Sequence, residues 1–275
     1  MFFNSGVLKM AKSESTEVAK KDESTAVAQA AAMQSMFEAD AGAGFEEASA
    51  SAYAIPFLQV LQSGSPQCKK SDGAYIKGAE EGMFYNTVTQ EIFSGEDGIT
   101  VIPCHYTQRF IEWKPRESGG GFVAEHLPTD PIVGTTEKDD KGRDLLPNGN
   151  TLVDTRNHYV LIEGADGTLA PALLALSSTA SKMSRTWMSK MQGIKIKNAA
   201  GAFIIAPMAS RKYKLTTVAK SNDKGSWFVP NVELVGIVED AAVYGEAVAF
   251  RDAVRTGQAS VKHEGSGTGE EDTAF

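Results

Sequence analysis

His158-Tyr159-Val160-Leu161-Ile162 is followed by the turn dipeptide Asp166-Gly167 and a second apolar run over 169–176. Ser177-Ser178-Thr179 then opens a segment with Met183, Trp187 and Met191 at i, i+4 and i+8. The reading of this stretch decides the fold. Its β-branched and aromatic residues predict a strand over 151–163, and Asp-Gly predicts a hairpin into the next strand. The hydroxyl residues predict a helix cap. The four-residue spacing predicts a helix over 180–192 with one apolar stripe. A helix set between strands is the pattern worked outward from here.

Upstream, residues 98–113 read as a long strand pair or one bulged strand, interrupted by Pro103. Shorter strand candidates precede it at 73–78 and 83–88, and residues 122–124 follow the loop Gly119-Gly120-Gly121. Residues 128–150 carry three prolines, Asp139-Asp140 and Asn148-Gly149, and predict a loop excursion. Downstream, strands are expected over 203–207, 212–219, 227–229 and 232–238, with Phe203 in the core beside Ile204 and Ile205. A final helix is expected over 240–255. The sum is a mainly β, β-rich α+β fold: a small antiparallel OB-like barrel with an inserted helix and a C-terminal helix. A sandwich or another α+β sheet satisfies the same pattern.

Residues 1–52 hold eight acids against four lysines and few large apolars. They predict a disordered acidic tail, with at most an Ala-rich helix over 24–37. The β-rich core is placed at 53–262, and a Gly/Ser-spaced acidic tail at 263–275. Met10 is a second candidate start. No apolar run reaches membrane-spanning length and no signal-peptide pattern is present. With only Cys68 and Cys104, a disulfide framework is excluded. A cytoplasmic protein is expected.

The net charge of −8 opposes nucleic-acid binding until its distribution is read. Each tail carries −4 and the core sums to zero. No acid occurs from 167 to 222, which holds Lys182, Arg185, Lys190, Lys195, Lys197, Arg211, Lys212, Lys214 and Lys220. Trp187, Phe203, Tyr213, Trp227 and Phe228 are interleaved with them. Cations for phosphates and rings for bases are what a single strand requires. Alternation puts Lys212 and Lys214 on one strand face, Arg211 and Tyr213 on the other. Trp187 shares its stripe with Met183 and Met191, which fits core packing equally. Arg109, Trp113, Lys114 and Arg116 form a second patch, diluted by Glu112 and Glu117.

Catalytic signals are missing. Cys104 and His105 are adjacent, so on a regular strand they face opposite ways and share no metal. No zinc spacing, nucleophile elbow or phosphate loop occurs. The reading is a binding protein without cofactor or metal, and not an enzyme. At the C-terminus, Glu270, Glu271, Asp272 and Phe275 make a tethered anionic peptide with one hydrophobic anchor, able to compete for the basic face or to dock a partner.

That tail, Glu270-Glu271-Asp272-Thr273-Ala274-Phe275, resembles the single-stranded DNA-binding proteins of tailed bacteriophages and their bacterial counterparts. The stretches Ile55-Pro56-Phe57-Leu58-Gln59 and Phe110-Ile111-Glu112-Trp113-Lys114-Pro115-Arg116 are similar to a phage-encoded family associated with that role. The resemblance implies an OB-fold core binding single-stranded DNA without sequence preference, and a tail recruiting replication or recombination proteins in the host cytoplasm. A phage virion or scaffolding component is the alternative. Self-association is left open.

Overall fold

The computed structural model describes residues 14–47, 54–223 and 225–259. It contains two units, a helical segment and a β-rich core.

In the first unit, α1 runs Glu14–Ala39, longer than the helix expected over 24–37 within a disordered tail. Alanine and glutamate favour helix intrinsically. From Val27 onward every described side chain of this unit is exposed, so no apolar face is packed over 27–47.

In the core, β4 (Ile99–Trp113) and β8 (Thr151–Glu163) are antiparallel along their whole length. β9 (Leu169–Ser177) pairs with β8, and β12 (Arg211–Asn222) pairs with the start of β4. β13 (Gly225–Ile237) pairs with β12 as one strand, where two were expected. β5 (Phe122–His126) extends the far end of β4. The sheet curls as a half-barrel. A smaller sheet of β1 (Leu58–Val60), β2 (Phe84–Asn86) and β3 (Ile92–Phe93) adjoins it through a bridge from Phe57 to Leu173. Residues 73–78, expected as a strand, form turns closed by Tyr75 N–H to Asp72 and Ile76 N–H to Gln67.

The excursion at 128–150 joins the sheet instead of looping free of it. A short 3-10 turn, Pro131–Thr135, is capped by the Asp130 carboxylate. β6 (Glu137–Lys138) and β7 (Asp144–Leu145) then form a hairpin whose second strand pairs with β8. The buried carboxylate of Glu112 holds this segment down. It accepts hydrogen bonds from Asn148 and Asn150 and contacts His126 Nε2 at 2.9 Å.

Adjacent residues on a strand face opposite sides, and here each side has its own core. Val101, Val160, Ile162, Leu174, Tyr213 and Leu215 pack under α2 (Ser181–Gly193), against Trp187 and Met191. On the reverse side Ile102, Cys104 and Leu161 pack under Ala247, Val243 and Phe250 of α3 (Ala241–Arg255). Asp240 caps α3 through the Ala242 N–H. α2 follows a 3-10 turn, Ser178–Ala180, and neither Ser177 nor Ala180 makes a side-chain cap bond. The cap expected at 177–179 is therefore replaced by a tighter turn.

The loop before β4 needs glycine at one point. A Cβ on Gly95 would lie 1.9 Å from the Gly82 carbonyl oxygen. Only a bare backbone lets Gly95 accept from Thr217 N–H at 2.8 Å while the Thr217 hydroxyl reaches Gly82.

Candidate nucleic-acid interface

The acid-free run 167–222 does not form one basic surface. Folding divides it between the two sides of the sheet.

On β12, which alternates regularly while the extra residue at this register shift, Val235, lies on β13, Tyr213 faces the core, 2% exposed. Tyr213 meets Trp187 edge-on, with centroids 5.5 Å apart. Lys212 and Lys214 face the other way, as alternation requires, but strands outside the run bring acids to them. Lys212 forms an ion pair with Glu163 of β8. Lys214 lies opposite Glu233 of β13. Arg211 donates to the Ser210 carbonyl and hydroxyl. Lys220 is exposed across from Trp227, whose indole is half-buried.

Two of the proposed stacking rings are thus structural. Trp187 is 0% exposed and lies flat against His158, centroids 4.6 Å apart and planes 14° apart. Neither Trp187 nor Tyr213 meets a base without unfolding. The i, i+4, i+8 stripe that located the helix located its core face.

The other half of the run is different. Lys182, Arg185, Ser189 and Lys190 occupy the exposed side of α2. The chain then enters a two-stranded ribbon, β10 (Lys195–Lys197) with β11 (Phe203–Ile205). Asn198 closes its turn, accepting from the Ala202 N–H at 2.9 Å. Directly paired residues share a face, so Lys195 and Ile205 lie beside Lys197 and Phe203. Phe203 is 68% exposed, with Ile204 and Ile205 also exposed. The expectation that Phe203 is core is overturned. Two three-residue strands bury one face at most, and neither joins the main sheet. The Lys197 ammonium sits 5.4 Å from the Phe203 ring centroid, a cation–π distance. Among the described residues, Lys182, Arg185, Lys190, Lys195 and Lys197 enter no ion pair. The sequence reading counts Phe203 among the rings interleaved with the cations and then assigns it to the core. The available signal was Lys-Ile-Lys and Phe-Ile-Ile flanking a turn too short for a core strand to cross over.

The second patch is held by other contacts. Arg109 pairs with Glu125 at 2.6 Å. Trp113 packs edge-on against Phe122. Lys114 and Arg116 are exposed beyond the end of β4. Glu112 does not dilute this surface, because it is buried and turned toward Asn148 and Asn150. Burial pushes its carboxyl up. Hydrogen bonds from Asn150, Asn148 and His126, with the His126 charge, outweigh that and hold it below the ordinary value.

Glu270, Glu271, Asp272 and Phe275 lie outside the described residues. Among the described residues no helix is long and apolar enough to cross a membrane.

The fold and this surface define a mainly β protein with a half-barrel sheet and an exposed cationic helix and ribbon. The model of the Pam3 phage gp34-like protein family matches residues 20–260, so the chain belongs to that phage family. Searches of curated proteins and of solved structures returned no match.

Proposed function

We propose that this phage protein binds single-stranded DNA without sequence preference, in phage replication or recombination, through α2 and the β10–β11 ribbon. The carrying observation is five exposed, unpaired cations on consecutive elements, with Lys197 poised over exposed Phe203. A flexible polyanion with stackable bases is the ligand such a surface suits. The acidic tail would recruit partner proteins and compete with DNA. Fluorescent oligo-dT titrated at two salt concentrations tests this. Log affinity should fall with log salt by about 0.7 per phosphate neutralised. No binding at low salt, or a flat salt response, overturns it.

A second reading, assembly into a virion or scaffold, is favoured by the outer part of β13. Leu234, Val235 and Ile237 are exposed there. The Gln62 amide covers the strand edge at Phe228, bonding both its N–H and C=O at 2.9 Å, but that cover lies several residues away. Exposed apolar edges invite pairing with another copy. Sedimentation as large particles, without salt-sensitive DNA binding, would favour this reading.

A further inference from the structure

A β-bulge inserts a residue and reverses the facing of the side chains beyond it. In β4 the register shifts between Pro103 and His105. Ahead of the shift Ile102 lies opposite Leu161 on the α3 side; after it His105 lies opposite Tyr159, and Thr107 opposite Asn157. Cys104 and His105 therefore both lie on the α3 side, contrary to the alternation expected of a regular strand. Burial raises the Cys104 thiol to about 12, which keeps it inert.

The redirected side chains line a half-open cavity of about 260 Å3 at the C-terminal end of α3. His105, Arg109, Asn157, Tyr159, Val254 and Arg255 are among its walls. Asn157 is only 3% exposed, and its Oδ1 has no hydrogen-bond partner among the described residues. A buried polar atom left unpaired is costly unless something else meets it. The His105 and Tyr159 rings lie side by side, centroids 5.9 Å apart. Burial, then the charges of Arg109, Arg251 and Arg255, pull the imidazole below its ordinary value. Among the cavity's charged walls Arg109 pairs with Glu125, and the Arg255 guanidinium lies 3.6 Å from Asp252 outside the walls. The walls themselves carry two guanidiniums against one carboxylate.

We propose that this cavity holds a single nucleotide, its base against Tyr159 and His105 with its polar edge on Asn157, and its phosphate at Arg255. Two rings suit a planar heterocycle, and an amide matches the donor–acceptor edge of a base. A guanidinium suits a phosphate. Small-molecule sites usually measure about 300–1,000 Å3, and a cavity just below that range admits one nucleotide and little more. The site lies across the sheet from α2 and does not rest on the strand-binding reading. The nucleotide comes either free or as one residue of a strand.

Calorimetric titration of the full chain with dTMP, dAMP and inorganic phosphate tests the site. A nucleotide should bind saturably, one per chain, and phosphate alone should not displace it. Arg255→Ala, at an exposed position, should weaken binding about tenfold. Asn157→Ala should do the same with the melting temperature kept, because the amide oxygen it removes bonds none of the described residues. Competition with oligo-dT identifies the source: displacement means a strand residue, and none means the free nucleotide, either of which supports the site. Lys195→Glu with Lys197→Glu should abolish oligo-dT binding by the ribbon and leave dTMP binding unchanged, which separates this site from the strand-binding surface. Absence of saturable nucleotide binding, or affinity unmoved by both cavity substitutions, overturns the proposal.

Discussion

Trp187 carries the packing of α2, and His158 beneath it carries an acid sensitivity. Trp187→Ala removes a fully buried ring and should cost about 3–5 kcal/mol in urea unfolding. The folded fraction should still bind DNA with wild-type affinity, since this ring meets no base. His158 is enclosed, with Nε2 at 2.7 Å from the Ser184 hydroxyl. Burial, then the Arg156 charge, lowers its pKa to about 3 from an ordinary 6.5. The unfolded chain therefore takes up a proton that the folded one refuses, and stability should fall as pH drops from about 6.5 toward 3. Glu112 adds a second loss of the same sign in a lower window. Its folded carboxyl is depressed, so its contribution is intact above about 4.5 and lost as pH falls through the folded value. Urea midpoints measured across pH separate them. His158→Gln should flatten the upper window, while Glu112→Gln should be destabilised at pH 7 by an amount that shrinks below about pH 4. Unchanged profiles would remove both assignments.

At the scale of elements, α2 and the ribbon are separable from β12. Lys195→Ala with Lys197→Ala should lower the salt slope of oligo-dT binding by about 1.4, two phosphate contacts at about 0.7 each. Lys212→Ala should leave that slope unchanged and lower stability instead, because Lys212 is already paired with Glu163. Phe203→Ala should cost about 1–3 kcal/mol of binding with the slope kept, the signature of a stacking ring. A slope that responds to Lys212 and not to the ribbon would move the interface to the sheet. The strand–hairpin–strand–helix order over 151–193 was legible because its spacing is regular. A bulged strand was one of two readings of 98–113, but the position of the bulge was not legible, since the one inserted residue, Cys104, reverses an alternation that sequence takes as unbroken. That is why Cys104 and His105 were placed on opposite sides of the sheet.

For the whole molecule, charge is segregated along the chain, with acidic ends around a neutral core. Deleting residues 264–275 should tighten DNA binding, most at low salt where screening is least, if the tail competes for the same cations. The same deletion should impair a replication or recombination assay. Phe275→Ala should impair that assay while leaving DNA affinity near wild type. Equal DNA affinity with and without the tail, at every salt concentration, would show that it does not compete.

The sequence by itself determined the mainly β class, the positions of β8, β9, α2 and α3, and the segregation of charge. These are local properties of propensity, periodicity and composition. Only the tertiary structure decided which cations stay free. Glu163 and Glu233 lie outside the acid-free run, and strand pairing carries them to Lys212 and Lys214. It likewise decided which rings are buried, since Trp187 and Tyr213 close the core while Phe203 remains in solvent. Burial and charge pairing depend on residues distant along the chain, and no local pattern encodes them.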